Sequence, residues 1–328
     1  MLHDIYFAKE YGKLYEKIEN GKAFCWIYNG KEGSVRHQFI KRVIPLDKEF
    51  FDIVTPYGYG GPIIEKINYG YTKEELTEAF ENAFSSYCKE NKIVSEFVRF
   101  HPLACNALDF KNQYEVLHVR NTVGTSLLYD DPFVEEFSKS CRKDVRRALS
   151  NGLTWRITEA PKTLSEFKKI YYSTMDRNNA SDYYYFDEEY FESCLKYFKE
   201  NILLVEVIYE NKVIAAGFYF ISNEIIHVHL SGTLTEYIDL SPAYILKYAT
   251  VLWGKENGYK TIHYGGGKTN SPEDSLYKFK KKFGQKTEFE FYIGKKIWNK
   301  QKYIELCEKN GVDIEDEFFP AYRIKTKE

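Results

Sequence analysis

A chain of 328 residues with 44% hydrophobic content is too long for one small domain and suits two domains with real cores. Its net charge of −2 excludes a general electrostatic attraction to nucleic acid. No apolar run approaches membrane-spanning length, and Cys25, Cys88, Cys105, Cys141, Cys194 and Cys307 form neither a CxxC pair nor a zinc-like spacing. The start Met1-Leu2-His3-Asp4 lacks the basic and apolar segments of a signal peptide, so a cytoplasmic chain with reduced thiols is expected.

In chain order, strand patterns fall near 22–29, 34–44, 51–55, 94–100 and 114–129, with helical periodicity over 73–90 and 132–150. A second series follows. It has a strand near 153–158, helices near 163–177 and 187–199, and strands near 202–209, 212–221 and 225–231. A helix over 242–257 is predicted, with Ser241 as N-cap and Pro242 in its first position. Strand 260–264, helix 273–283, strand 287–293 and a helix near 299–309 complete the chain. Helix–strand alternation mixed with hairpins predicts an α/β protein with mixed sheets. The stretch YCKENKIVSEFVRF (87–100) resembles WGKENGYKTIHYGG (253–266) at an offset of 166 residues, which favours two similar α/β domains meeting at a cleft. The expected domains are 1–151 and 152–328.

The stretch YGGGKTNSPEDSLYKFKKKFG (264–284) invites a phosphate-loop reading. A P-loop ending at Gly267-Lys268-Thr269 needs a glycine at 262, where Ile262 stands. What remains is a strand that ends in glycines and opens into a loop, followed by a helix begun at Ser271-Pro272-Glu273-Asp274. With about 100° per residue, Phe279, Lys280 and Phe283 fall within about 60° of Leu276, whereas Lys278, Lys281 and Lys282 fall on the opposite, solvated face. Lys280 borders the buried stripe, as a snorkelling lysine or a fixed positive charge in a cleft. Positive charge is local: 268–286 and 139–147 each carry a balance of +4, which points to anionic ligands at defined places.

The motifs HVHLSGT (227–233), the Ser-Pro-started helix at 241, NGYKTIHYGGG (257–267) and DSLYKFKKKFG (274–284) follow one another in a distinctive order. So, upstream, do TPYGYGGP (55–62), CRKDVRRALSNG (141–152) and TMDRNNASDYYYF (174–186). In this combination, spread over about residues 50–295, the chain resembles the Fem family of non-ribosomal peptidyltransferases. The resemblance implies two tandem GNAT-like domains facing a central cleft. It also implies transfer of an amino acid from aminoacyl-tRNA to the stem peptide of a peptidoglycan precursor, with no cofactor. The acceptor amine attacks the aminoacyl ester, and a positioned cation stabilises the oxyanion. The family positions place Phe279 and Lys280 beside the ester, and Arg177, Asn179, Tyr184 and Phe186 along the acceptor. His229, Gly265, Gly266, Gly267 and Lys268 complete the substrate-binding set. Arg142 and Arg146, spaced i,i+4 on a basic helix, would meet donor or precursor phosphate. The long helical hairpin that some relatives insert in the second domain has no counterpart here. A monomer, soluble or peripheral at the inner membrane face, is expected.

Three other readings compete. An acetyl-CoA-dependent GNAT N-acetyltransferase acting on a cell-envelope sugar or other amine would need a glycine-rich pyrophosphate loop before the helix at 242. The segment there, SGTLTEYIDLSP, has one glycine and two acids. His227, His229 and His263 could bind zinc, but no carboxylate or cysteine joins them at a recognisable spacing, so no metal is expected. A non-catalytic module that kept the fold is the third. Asp109, Asp182 and Asp187 are undistinguished candidates for a general base.

Overall fold

A computed structural model describes residues 4–324 of the chain; residues 1–3, on which the reading of the chain start partly rests, lie outside the described residues. The elements run β1 (Gly21–Asn29), β2 (Gly33–Ile44), β3 (Asp47–Val54), β4 (Ile63–Ile67), α1 (Lys73–Glu90), β5 (Ile93–Arg99), α2 (Asn106–Asp109) and β6 (Glu115–Ser126). Next come α3 (Pro132–Glu136), α4 (Lys139–Ser150), β7 (Thr154–Glu159), α5 (Ser165–Arg177), α6 (Glu188–Phe198), β8 (Ile202–Tyr209), β9 (Lys212–Ser222) and β10 (Ile225–Thr233). The chain ends with α7 (Pro242–Glu256), β11 (Thr261–Gly265), α8 (Ser275–Lys281), β12 (Glu288–Ile297) and α9 (Lys300–Asn310).

Two compact units divide this chain. One is Tyr6–Val119 with the stretch from Glu290 onward; the other is Arg120–Phe289 with Asp4 and Ile5. The units are therefore discontinuous, whereas a boundary at 151 would put α4 in the first. Cys141, Val145 and Ala148 of α4 are buried with Val205 of β8 and Ile245 of α7, in the second unit's core. Tyr303, Leu306 and Cys307 of α9 pack with Ile44 and Val94 of the first. Apolar burial, not sequence proximity, sets the division.

The first unit pairs β1, β2 and β3 antiparallel, with β4 on β2, and adds β5 parallel to β3. The second pairs β7, β8, β9 and β10 antiparallel, adds β11 parallel to β10, and closes with β6 antiparallel to β11. Each unit thus contains a helix followed by a strand that joins its neighbour in parallel: α1 and β5 in one, α7 and β11 in the other. These are the two segments whose sequences resemble each other. Strand pairing within each unit is mixed parallel and antiparallel, as expected of this α/β chain. Among the described residues the longest helix, α1, has 18 residues, so no long helical arm is present.

Several local expectations change. The helix predicted over 132–150 breaks at Phe137, which is extended at ψ 132°, and Ser138 caps α4 by accepting from the Cys141 amide at 3.2 Å. Ser241 precedes Pro242 but makes no cap bond: it stands at φ 59°, and Arg147 donates to its hydroxyl at 3.3 Å. Short β4, with two of its five residues exposed, carries too weak an alternation to be seen in sequence.

Gly284, just beyond α8, approaches β6 closely. A Cβ there would fall 1.8 Å from the Gly124 carbonyl oxygen and 2.7 Å from Val123. The neighbouring Phe283 carbonyl accepts from the buried Thr125 hydroxyl at 2.6 Å, which pins α8 to the strand. Gly284→Ala is expected to cost about 1–3 kcal/mol or more, because backbone must move. Chemical denaturation measures it, and a loss under about 0.5 kcal/mol would refute this account of the close approach.

Candidate active site

The second unit's site is built where β11 ends. The ladder between β11 and β6 shifts register between His263 and Gly265, so Tyr264 is the extra residue of a bulge. Gly265 follows at φ 74°, a left-handed conformation that a side chain would strain. The chain leaves the sheet there with its carbonyls turned toward basic side chains. Lys280 Nζ donates to the Gly266 carbonyl at 2.6 Å. Arg120 of β6 donates to the Gly267 carbonyl at 2.7 Å and the Thr269 carbonyl at 3.2 Å.

Two amides of this loop are committed elsewhere. Asp274 accepts from the amides of Lys268 at 3.0 Å and Thr269 at 2.9 Å, and caps α8 through the Tyr277 amide at 2.9 Å. These backbone bonds, that to Tyr277 foremost, hold its carboxyl well below the usual carboxylate range. The Lys268 and Thr269 amides thus serve a carboxylate, and the Gly266, Gly267 and Thr269 carbonyls serve two cations, an arrangement unlike a phosphate cradle, in which successive amides face the anion. The helix start is Asp274, not Ser271; Pro272 lies in the loop. Asp274→Ala should raise amide exchange at Lys268, Thr269 and Tyr277 by about tenfold or more. With the folded carboxyl depressed, its contribution to stability is present above about pH 4 and is lost as the pH falls further. Amide exchange unchanged in the variant would contradict the assignment.

Lys280 is only partly exposed, and its near neighbours are Lys247, Arg120 and Asp274. Burial first, then the Lys247 charge, push its ammonium down to about 7, against the pull of Asp274. Lys247, on α7, is 5% exposed. Its ammonium sits 5.6 Å from the Tyr219 ring centroid and 5.9 Å from that of Tyr264. Burial pushes it down to about 8. Neither lysine has a carboxylate hydrogen-bond partner among the described residues. Phe279 packs edge-on against Tyr244 with ring centroids 5.5 Å apart, and against Phe283 at 5.1 Å. Lys281 and Lys282, expected on a solvated face, are half-buried: Lys281 pairs with Glu288 at 3.2 Å and Lys282 donates to the Tyr244 hydroxyl at 3.1 Å. Lys278 is exposed, beside Glu273.

The other expected residues gather around α5. Arg177 donates to the Thr233 carbonyl at 2.8 Å and the Thr235 hydroxyl at 3.1 Å. With Lys169, Tyr172, Ser173, Asp176 and Thr235 it lines an open groove of about 630 Å³. Asn179 is exposed at φ 45°, and the Tyr184 ring is exposed beside Tyr183. Phe186 does not line the groove. It is 2% exposed and stacked on Tyr190 at 4.3 Å, so its part is packing. Arg142 donates to the carbonyls of Val134 and Phe137 at 2.7 and 2.5 Å, which makes it a cap for α3 rather than a free phosphate ligand. Arg146 is exposed near Phe133, and Lys268 and its side chain face solvent.

The three histidines have separate partners. His227 bonds the Asp4 carboxylate at 2.7 Å, His229 the Tyr190 hydroxyl at 2.6 Å, and His263 the Thr122 hydroxyl at 2.9 Å. His229 is the bulged residue between Val228 and Leu230, so simple strand alternation does not govern its direction. Burial, with the His227 charge, lowers it to about 3, leaving a neutral ring. Of the candidate bases, Asp109 pairs with Lys73 and Asp187 caps α6. Lys247 and Arg120 were not expected from sequence. The signal for Lys247 was a lysine in the apolar helix PAYILKYATVLWGKE, with no acid before its last residue.

Residues 136–281 match the family model described as the acetyltransferase (GNAT) domain. The fold matches the crystal structure of FemX with a TM-score of 0.68 at 15% identity, covering 92% of this chain and 94% of that one. The chain shares the fold of FemX, and its stretch 136–281 is similar to the acetyltransferase (GNAT) domain. The C-terminal domain of a putative lysylphosphatidylglycerol synthetase from Agrobacterium fabrum is similar with a TM-score of 0.58 at 10% identity, covering 93% of this chain and 91% of that one. L-PGS from Bacillus licheniformis gives 0.54 at 14% identity, covering 88% and 91%. No curated protein sequence matches the chain. Among the described residues, no helix of this chain is long and apolar enough to cross a membrane.

Proposed function

We propose that this acyltransferase moves an amino acid from aminoacyl-tRNA to an amine of a peptidoglycan precursor or a related cell-envelope intermediate. The observation that carries the reading is Lys280: a partly buried amine, bonded to no carboxylate among the described residues, that donates to the Gly266 carbonyl where β11 leaves the sheet. An amine so placed can face the carbonyl of an activated ester. Attack by the acceptor nitrogen forms the C–N bond and an oxyanion; collapse breaks the C–O bond to the ribose, and the hydroxyl leaves with a proton. The ester is already activated, so no covalent enzyme intermediate is needed. The FemX-like fold supports the class of chemistry, while donor and acceptor rest on the motif resemblance.

Acetyl-CoA is the donor that the GNAT description suggests, and the residues present do not fit it. The connection from β10 to α7 forms a 3-10 turn over Thr235–Leu240 that carries Glu236 and Asp239 and no basic residue. Acids at that place repel a pyrophosphate.

The test is a transfer assay. Purified protein is given radiolabelled aminoacyl-tRNAs or labelled acetyl-CoA, with nucleotide-linked and lipid-linked cell-wall precursors as acceptors. Label moving from tRNA, and not with Lys280→Met, is the expected result. Label moving only from acetyl-CoA would overturn the proposal.

A further inference from the structure

The Lys280 amine donates to one backbone carbonyl, that of Gly266, so what fixes that stretch of backbone also fixes the amine. The backbone has little stiffness of its own. Gly265, Gly266 and Gly267 follow one another, and the ladder between β11 and β6 ends at the pair Gly265 and Val123.

Two side chains of opposite charge hold the loop beyond that point. Asp274, at the start of α8, accepts from the amides of Lys268 and Thr269 and from the Thr269 hydroxyl. A Cβ on Gly267 would fall 2.4 Å from Asp274 Oδ1. Arg120, on β6, donates through Nη1 to the Gly267 carbonyl at 2.7 Å and to the Thr269 carbonyl at 3.2 Å. Its stem lies against Gly266, where a Cβ would fall 2.8 Å from Arg120 Cδ and 3.6 Å from Cγ. Gly266 and Gly267 are therefore the positions at which an arginine stem and a carboxylate close on the chain.

The two holds differ in what they tie together. Asp274 and Lys280 stand at the start of α8 and within it, so their bonds join the loop to that helix. Of these contacts, only those of Arg120 join the loop to a strand of the sheet. An amine on a flexible four-carbon stem acts well at a reacting centre only when its direction is set beforehand. We propose that Arg120 is a positioning residue for the transfer: it fixes the Gly266–Thr269 backbone to β6 and so sets where the Lys280 amine points. This rests on the acyl-transfer reading above.

The test follows the Lys280 side chain in the full chain, by NMR relaxation of lysine labelled with carbon-13 at Cε, assigned with Lys280→Met. Arg120→Met keeps most of the stem and removes the donors. In it the order parameter of Lys280 Cε is expected to fall by about half. Arg120→Lys, which restores a donor, should recover part of that loss. Gly266→Ala, whose Cβ displaces the Arg120 stem, should loosen Lys280 in the same way, and it decides the matter if Arg120→Met does not fold. A Lys280 as ordered as in wild type in either folded variant overturns the proposal.

Where transfer is measurable, kcat in Arg120→Met should drop by about 10- to 100-fold with KM within about twofold, and Arg120→Lys should regain part of the loss. A rise in KM with kcat kept would put Arg120 on the substrate instead, and a loosened Lys280 with kcat unchanged would deny the role; either result overturns the proposal. The relaxation measurement uses no substrate. A Lys280 loosened in Arg120→Met, with no transfer by the wild type from any donor, would sink the functional reading and leave the hold of Arg120 on Lys280 intact.

Discussion

Lys280→Met is expected to lower kcat/KM for transfer by at least about 100-fold while the melting temperature stays within a few degrees. Methionine keeps most of the stem and removes only the amine, so Phe279 and Phe283 retain their packing against Tyr244. What is lost is the amine that donates to the Gly266 carbonyl. In the wild-type enzyme kcat/KM should climb as the pH rises through about 7, where the Lys280 ammonium gives up its proton, and level off above it. A variant within about threefold of wild type would mean that Lys280 is not at the reacting centre. A profile that falls through the same range would mean that the charged form does the work.

The reading of α1, β8 and α7 from sequence succeeds because each has one strong period and a clear boundary. Thr72 and Glu75 make a full capping box for α1, and Pro242 opens α7. The site is harder to read, because it is made by departures from periodicity. The bulges at His229 and Tyr264 reset side-chain direction by one residue, which alternation does not foresee. The stripe Leu276, Phe279 and Phe283 does locate Lys280, since its place at the edge of an apolar face is a local property of α8. Arg120 and Lys247 meet it from elements far away in sequence, and nothing in their own surroundings names the partner. The same holds for Phe186 and Arg142: their neighbours Tyr190 and Val134 decide that they pack and cap rather than face a ligand. The loop at 265–269 shows the limit most plainly. Its glycines are legible as a site of unusual backbone, but only the fold shows that its carbonyls meet Lys280 and Arg120 while the Lys268 and Thr269 amides meet Asp274.

Lys247→Met is expected to make the protein more stable at pH 7, by about 1–3 kcal/mol. In the unfolded chain this lysine titrates near 10.4; burial lowers it to about 8 in the folded chain. Above about pH 10.4 it is neutral in both states and folding carries no charge cost. Below about 8 it is charged in both, and the folded state bears the full cost of an ammonium 5% exposed with no acid bonded to it among the described residues. The sign is therefore opposite to that of an ion-paired lysine: wild-type stability should gain on the variant as the pH rises from about 8 to about 10.4, and the gap should close there. Methionine fits the stem and keeps contact with the rings of Tyr219 and Tyr264, so no cavity offsets the gain. Denaturant titrations of both proteins at pH 7 and pH 10 measure the two gaps. A variant less stable than wild type at pH 7 would mean that Lys247 is paired after all, and that its burial serves the core. A gain at pH 7 that closes by pH 10 would mean that the fold carries an unfavourable buried charge at Lys247.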